Sequence, residues 1–326
     1  MMISRRVLVQ SVATLIVASS SARVMAKDDW PARPVRLLSP YGPGGANDIS
    51  LRLLADQFEK DMGGKFIVEN KPGAGTRIAN AEAARAAPDG YTFLYAAAPY
   101  ATAEALAGKL AYDPRNDLKP VAMAVFAPVF LIVNAKAPYK TLQDFIAYGK
   151  SLPDGLTFGS PGVGSQPHLA AELFFKDVGV KGLNVQFRGD APAYTELLAG
   201  RIDATLTAIS AALPHIESGA LRVIACASAE RSAVYPQAPT FRELGLPNVV
   251  ATGWYGFMAP AATPPAIIGA MEKTVLQALD NRDLQQKLVA RGLEAHAGTA
   301  AEFGRFIEEE TSRWTKIIRE AGIREE

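Results

Sequence analysis

Three glycine-rich turns constrain the fold of this 326-residue chain more than any other feature of its sequence. They span residues 41–48, 72–76 and 160–165. Each turn follows a short apolar run that is typical of a buried strand and precedes a run with helical character. Strands that alternate with helices in this way form parallel sheets, so the sequence predicts an α/β fold.

The first turn reads Tyr-Gly-Pro-Gly-Gly-Ala-Asn-Asp and joins an apolar run at 35–39 to a helical run at 49–62. Unpaired backbone N–H groups and the positive end of the helix dipole meet at such a turn, and an anion is their natural partner. Its glycines let a ligand approach the backbone without a Cβ in the way. A strand-to-helix turn often needs glycine only to bend, so this turn alone leaves both interpretations open. The two further turns of the same kind favour the anion site.

The order of the runs predicts two α/β lobes. One cluster of strands and helices covers about 27–125, the other about 130–250, and extended runs near 121–133 and 252–259 connect them. In open parallel sheets the ligand site lies at the carboxyl ends of the strands, where both clusters carry their glycine-rich turns. We therefore expect a cleft between two lobes, formed by residues 27–125 plus 253–326 and by residues 126–252.

The first 26 residues have the pattern of a cleavable signal peptide. Arg5 and Arg6 precede an apolar run at 7–18, and small residues lead to Ala26. That run is shorter than the about 20 residues that a membrane-spanning helix needs. We expect cleavage after Ala26 and a periplasmic protein. Residues 4–8 also partly match a twin-arginine signal.

Composition and isolated reactive residues argue against several other functions. Lys+Arg and Asp+Glu number 34 and 33, so net charge gives no drive towards nucleic acid or a membrane surface. The single cysteine, Cys226, lies in an apolar run and is expected to be a buried thiol. His168, His215 and His296 are far apart and have no ligand-type partner three or four residues away. We therefore expect no metal site and no cofactor.

Two catalytic or nucleotide-binding patterns are incomplete. Residues 73–78 and 162–167 match only the first half of Gly-x-Gly-x-x-Gly, because the third glycine is absent in both. Gly164-Ser165-Gln166 lacks the closing glycine of a nucleophile elbow. The sequence therefore nominates no catalytic residue.

Two polar residues beside the turns each allow two roles. Asp48 could cap its helix and pair with Arg52, or it could face the cleft, where it orders water or pairs with a ligand's ammonium group. His168, in the first turn of its helix, could be satisfied locally or could touch the ligand, and a lone histidine favours the structural role.

Several stretches together resemble a known family. The first is Pro-Tyr-Gly-Pro-Gly-Gly-Ala-Asn-Asp at 40–48, and the others are residues 68–75, 88–92, 159–169, 191–193, 197–203, 213–216 and 254–264. They are similar to the Bug family, the substrate-binding receptors of tripartite tricarboxylate transporters. The resemblance extends over essentially the whole mature chain.

The resemblance implies a type II periplasmic-binding-protein fold, in which two α/β lobes joined by two crossing strands close on a small carboxylate. It implies a non-enzymatic extracytoplasmic receptor that delivers its ligand to membrane permease subunits and works as a monomer without nucleic acid or cofactor. Family members hold one carboxylate through bridging waters and backbone amides of the first and third turns. That role carries over to Gly44 and Gly45 in the first turn. In the third turn it carries over to Gly164 and Ser165.

The complete set of predicted ligand-binding residues is Tyr41, Gly44, Gly45, Asn47, Asp48, Ala97, Gly164, Ser165, His168 and Ser210. Tyr41 and Asn47 occupy positions that the family varies, and they are expected to tune ligand choice. Residues 184–189 read Asn-Val-Gln-Phe-Arg-Gly where the family usually has His-Val-Pro-Tyr-Lys-Gly. The family therefore does not specify the ligand contacts in that stretch.

The sequence leaves two alternatives to a transport receptor open, an enzyme and a sensor. An α/β enzyme acting on a carboxylate or phosphate ester would need a positioned nucleophile or base. A sensor that presents its ligand to a membrane kinase would have the same sequence features as a transport receptor. Dicarboxylates, tricarboxylates, acidic amino acids and aromatic acids would all suit a cradle of backbone amides.

Overall fold

The computed structural model of the protein describes residues 30–323, which contain ten strands and ten α-helices. The predicted signal peptide, its cleavage site after Ala26 and the twin-arginine match lie outside the described residues. No helix in the described part of the chain is both long enough and apolar enough to cross a membrane.

The first half of the chain forms three parallel strands with helices between them. Its elements are β1 (Val35–Ser39), α1 (Ala46–Met62), β2 (Phe66–Asn70), a 3-10 turn (Ala74–Thr76), α2 (Arg77–Ala84), β3 (Thr92–Ala97) and α3 (Pro99–Ala107). β1 lies between β2 and β3 and runs parallel to both. The neighbouring residues Leu37 and Leu38 point to opposite faces of this sheet and are both fully buried. Both faces are therefore covered, as parallel sheets require.

The second half repeats this arrangement. Its elements are β4 (Leu118–Asn134), α4 (Leu142–Ser151), β5 (Leu156–Ser160), α5 (Gln166–Val178), β6 (Gly182–Gln186), α6 (Asp190–Leu198), β7 (Ala204–Ala208), α7 (Leu213–Glu217) and β8 (Leu221–Cys226). β5 lies between β6 and β7 and runs parallel to both. The glycine-rich turns that follow β1 and β5 therefore occupy equivalent positions in the two halves.

The last elements described are β9 (Thr252–Pro260), α8 (Pro265–Leu279), α9 (Arg282–Val289), β10 (Glu294–Thr299) and α10 (Ala300–Ala321). α10 packs on both halves of the molecule. Its Phe303 meets the ring of Trp254 edge-on at 5.7 Å in the core of the first half. Its Trp314 belongs to the apolar core of the second half, together with Phe174. The lobe boundaries drawn from the sequence remain a prediction.

Two strands cross between the halves. β4 pairs antiparallel with β9 from Leu118 to Pro128, and from Val129 onwards it pairs with β7 and β8. The extended runs predicted at 121–133 and 252–259 are these two strands, β4 and β9. Because β4 belongs to the sheets of both halves, the molecule has the predicted architecture of two α/β lobes joined by crossing strands.

Candidate functional site

The glycine-rich turns that follow β1 and β5 each contact the other half of the molecule. The Gly42 N–H donates to the Arg188 carbonyl at 3.1 Å, and the Thr102 hydroxyl donates to the Gly164 carbonyl at 3.0 Å. A Cβ on Gly42 would stand only 2.6 Å from the Arg188 oxygen, so the backbones approach closely there. The strand ends at which α/β proteins bind ligands therefore enclose a common cleft.

A small cavity, here called the deep cavity, lies in this cleft against the crossing strands. On the first lobe it is lined by four predicted site residues, Tyr41, Gly45, Asn47 and Ala97. Its other walls include Gln166, Asp190, Trp254 and Tyr255. The cavity has a volume of about 20 Å³, which is room for about one water molecule.

A wider cavity, here called the outer cavity, adjoins the deep one. It has a volume of about 280 Å³ and shares Tyr41 and Pro161 with the deep cavity. The second glycine-rich turn, residues 73–76, lines it on the first lobe, and Arg188 lines it on the second. The cleft therefore widens from the crossing strands towards the second turn.

The first turn uses its two adjacent glycines for different reasons. Gly44 has a φ of +85°, in the left-handed region that favours glycine, and its N–H donates to Asp48 Oδ2 at 3.0 Å. Gly45 is the N-cap of α1 with an ordinary φ of −87°. A Cβ on Gly45 would stand 3.1 Å from Asp190 Oδ2 across the cleft. Gly45 is therefore needed for close approach, and Gly44 for backbone conformation.

The carboxylate of Asp48 has three partners in the described part of the chain. It accepts hydrogen bonds from Arg52 at 2.9 Å, from Asn70 Nδ2 at 2.9 Å and from the Gly44 N–H at 3.0 Å. Burial by itself would raise the pKa of Asp48, but these hydrogen bonds outweigh it and lower that pKa. Asp48 lines neither cavity. Its contacts match the ion-pair role, together with a hydrogen bond to the Gly44 N–H that steadies the turn, rather than the ligand-facing role.

Tyr41 and Asn47 are fixed in the wall of the deep cavity. Ser39 donates its hydroxyl proton to Asn47 Oδ1 at 2.7 Å, and Asn70 Nδ2 donates to the Tyr41 carbonyl at 3.0 Å. Burial, together with the nearby Asp190 carboxylate, raises the pKa of Tyr41. The Tyr41 phenol therefore stays neutral at physiological pH.

The third turn is closed by its own hydrogen bonds. Ser165 is the N-cap of α5; its hydroxyl donates to the Gly162 carbonyl at 2.7 Å and accepts the His168 N–H at 3.3 Å. His168 Nδ1 accepts the Gly164 N–H at 3.2 Å, and its Nε2 lies 3.5 Å from Glu172. The predicted site residues of this region are Gly164, Ser165 and His168, and none of them lines the deep or outer cavity.

Ser210 lines neither the deep nor the outer cavity. Its backbone nitrogen is 3.3 Å from the position that a Cβ on Gly292 would take, so it packs against the turn after α9. Ala208, at the end of β7, lines the deep cavity in its place. The role of Ser210 in ligand binding, like those of the other nine predicted residues, stays a prediction.

Asp190 is the site residue that sequence patterns missed most clearly. It begins α6, and its carboxylate accepts the Ala46 N–H of α1 at 3.2 Å and the Thr207 hydroxyl proton. Burial raises the pKa of Asp190, although both hydrogen bonds oppose the shift. The carboxyl group of Asp190 thus lies against the first turn of α1, at the place where the sequence predicts a bound anion. Its sequence signal is an acidic residue directly after Gly189, next to the stretch that departs from the family.

Gln166 and Trp254 are two further wall residues that the sequence did not nominate. The Gln166 amide donates through Nε2 to Glu310 Oε2 at 2.6 Å, and Trp314 Nε1 donates to the same oxygen at 2.9 Å. Gln166 Oε1 and Trp254 Nε1 are buried and have no hydrogen-bond partner among residues 30–323. The side chains around the deep cavity therefore include one unpaired acceptor and one unpaired donor.

The described residues contain no cluster of metal-binding side chains.

Two α/β lobes on crossing strands, with a cleft between their strand ends, define the class of periplasmic binding proteins. A family model described as the tripartite tricarboxylate transporter family receptor matches residues 50–323, and the chain belongs to that family. This family consists of binding proteins without enzymatic activity, so the expectation of a non-catalytic protein is confirmed.

Individual relatives agree with this assignment. The chain is 34% identical to BugT of Bordetella pertussis over 311 residues, which cover 95% of each protein. A structure of an R. palustris protein with adipate shares 32% identity with a TM-score of 0.87, covering 90% of this chain and 99% of that one. The MatC protein of Rhodopseudomonas palustris with bound malate shares 32% identity with a TM-score of 0.83, covering 89% of this chain and 100% of that one.

Proposed function

We propose that this protein captures a small organic carboxylate in the periplasm and delivers it to the permease subunits of a tripartite tricarboxylate transporter. The observation that carries the proposal is the deep cavity, which lies between the glycine-rich turns that begin α1 and α5. The adipate and malate of the two related structures support the ligand class. The predicted signal peptide supports the location, and the protein acts as a monomer.

The helix N-termini and hydrogen-bond donors of the cleft are sufficient for a micromolar affinity for the ligand. A helix N-terminus contributes about 0.3–1 kcal/mol towards holding an anion. Each hydrogen bond to a charged group contributes roughly 1.5–3 kcal/mol. A few such contacts approach the about 8 kcal/mol of micromolar binding, before the cost of ordering the ligand.

Native mass spectrometry of protein purified from the periplasm tests the proposal. We expect a complex with a small organic acid, which is released on unfolding and rebinds in calorimetry. Uptake of that acid by cells should need both this protein and the permease. A protein that binds no organic acid, or that converts its ligand chemically, would contradict the proposal.

A further inference from the structure

We propose that the ligand carries a protonated amine, which Asp190 and Gln166 receive in the deep cavity, so that the site prefers amino-carboxylates to plain dicarboxylates. This inference rests on the proposed carboxylate-binding function and narrows its ligand class. Four features of the cleft support it: a buried acid, an occupied helix terminus, an unpaired acceptor and an aromatic wall.

The buried acid is Asp190, which is only 6% exposed. In the described part of the chain, the influences on its pKa are burial, the Thr207 hydroxyl and the Ala46 N–H, and no lysine or arginine is among them. A buried carboxylate without a positive partner costs free energy, and a ligand ammonium group would supply the missing charge.

The N-terminus of α1 is the second feature. The Ala46 N–H, which the sequence assigns to an incoming anion, donates to Asp190 Oδ2 at 3.2 Å. A ligand carboxylate placed at this point would face the Asp190 carboxyl oxygens, which already accept that N–H, and two carboxyl groups sharing one site is unfavourable. Asp190 therefore changes this end of the cavity from an anion site into a cation site.

The unpaired acceptor is Gln166 Oε1. The Glu310 carboxylate accepts hydrogen bonds only, so the Gln166 NH₂ group must face it and the carbonyl oxygen is fixed as the other atom. That oxygen is buried and has no partner within residues 30–323. A protonated amine has three N–H donors, enough for Gln166, Asp190 and one further acceptor.

The aromatic wall consists of Tyr41, Trp254 and Tyr255. Ring faces attract ammonium groups, and no lysine, arginine or histidine is among the described residues that line the deep cavity. Trp254 Nε1 is the unpaired donor of the same wall and suits a ligand carboxylate. An unpaired acceptor beside a buried acid at one place and an unpaired donor at another fit a zwitterion better than a dianion.

Calorimetry with matched acids tests the inference. We would titrate L-glutamate against glutarate and L-2-aminoadipate against adipate, because the members of each pair differ only by the amine. Wild-type protein should bind the better amino acid at least about tenfold more tightly than its dicarboxylate partner, a difference of about 1.4 kcal/mol. Asp190→Asn should lower amino-acid affinity at least about tenfold and leave dicarboxylate affinity equal or higher.

Asp203→Asn provides the matched control. Asp203 is a partly buried carboxylate of the same lobe, which accepts the Thr157 N–H at 2.8 Å and the Thr157 hydroxyl proton at 2.7 Å. It lines neither cavity of the cleft, so this variant should keep the wild-type preference. Thermal melting of both variants verifies folding, and the wild-type preference alone tests the inference if Asp190→Asn does not fold.

The outcomes separate this inference from the proposed function. Tighter binding of the dicarboxylates by wild type, or an equal effect of Asp190→Asn on both members of a pair, would overturn the inference and leave the proposed function intact. Failure of every acid in the panel to bind would overturn the inference, and the native mass spectrum would then decide the proposed function separately.

Discussion

Asp48 and Asp190 both lie beside the first turn of α1, yet their surroundings differ. Asp48 accepts hydrogen bonds from Arg52, Asn70 and a backbone N–H of its own turn. Asp190 reaches across the cleft, and its hydrogen-bond partners within residues 30–323 are a backbone N–H and a hydroxyl. Asp48 therefore stabilises the turn, whereas Asp190 keeps acceptor capacity that a ligand can use.

Asp48→Asn should destabilise the protein by about 1 kcal/mol at neutral pH, a modest value because Arg52 is half exposed. The lowered pKa of Asp48 means that its contribution is present above the ordinary pKa of about 3.9 and is lost as pH falls through the folded-state pKa. Urea unfolding at about pH 7 and pH 3 should show a smaller loss of stability with acid in the variant than in wild type. Asp56→Asn, at an exposed position of the same helix, is the control. Equal acid sensitivity of Asp48→Asn and wild type would contradict this account.

Gly45→Val tests the close approach in the first turn. The φ of −87° is accessible to valine, but its Cβ would stand 3.1 Å from Asp190 Oδ2 and beside the deep cavity. We expect the affinity for the ligand to fall at least about tenfold while the protein remains folded. Gly269→Val, at an exposed helical glycine with open space around it, should leave the affinity unchanged. Unaltered binding by folded Gly45→Val would place the site elsewhere.

Sequence patterns located the turns but not the pairing of residues across the cleft. Tyr41, Gly45, Asn47 and Ala97 line the deep cavity because they follow strands whose ends the patterns identified. Asp190 was missed because its partner Ala46 is 144 residues away. Periodicity within one element carries no information about such a contact between lobes.

At the scale of elements, the caps of the helices decide which polar groups remain for a ligand. The Ser165 hydroxyl closes the first turn of α5 by bonding to Gly162 and to the His168 N–H. The sequence predicts Ser165 as a ligand contact, and its backbone N–H donates to the Gly162 carbonyl at 3.3 Å. The side chain therefore has a clear role in the fold of this turn.

Ser165→Ala should cost about 1 kcal/mol of stability through loss of the cap, and it should lower ligand affinity less than about threefold. Thr141→Ala removes an equivalent cap from α4, where Thr141 Oγ1 accepts the Asp144 N–H at 3.1 Å. Both variants should lose similar stability in thermal melting. A tenfold loss of affinity confined to Ser165→Ala would show instead that the hydroxyl contacts the ligand.

One strand was not predicted. β10 has the sequence Glu-Ala-His-Ala-Gly-Thr, which lacks the β-branched and aromatic residues typical of strands. It forms because β4 offers a free edge, and the two strands pair antiparallel with an irregularity between Ala295 and Gly298. Tertiary pairing, which local propensity does not encode, decides the structure of this segment.

At the scale of the whole molecule, we expect the two lobes to separate so that a ligand can reach the deep cavity. The deep cavity of about 20 Å³ is far smaller than a dicarboxylate or an amino acid. The hydrogen bonds from Gly42 to Arg188, from Ala46 to Asp190 and from Thr102 to Gly164 join the first half of the molecule to the second. Each contributes roughly 0.5–1.5 kcal/mol, or more where Asp190 is charged, so opening about β4 and β9 is energetically accessible.

The sequence predicted the two-lobe fold correctly, because alternating strands and helices leave few topologies.

The position of the bound ligand tests the central claim most directly. A groove between α3 and α10, of about 1010 Å³, is larger than either cavity of the cleft. A crystal structure with the acid found by native mass spectrometry should show that acid between the first turn of α1 and the first turn of α5, in contact with Tyr41 and Trp254. An acid bound in the groove between α3 and α10, with the cleft unchanged, would contradict the account.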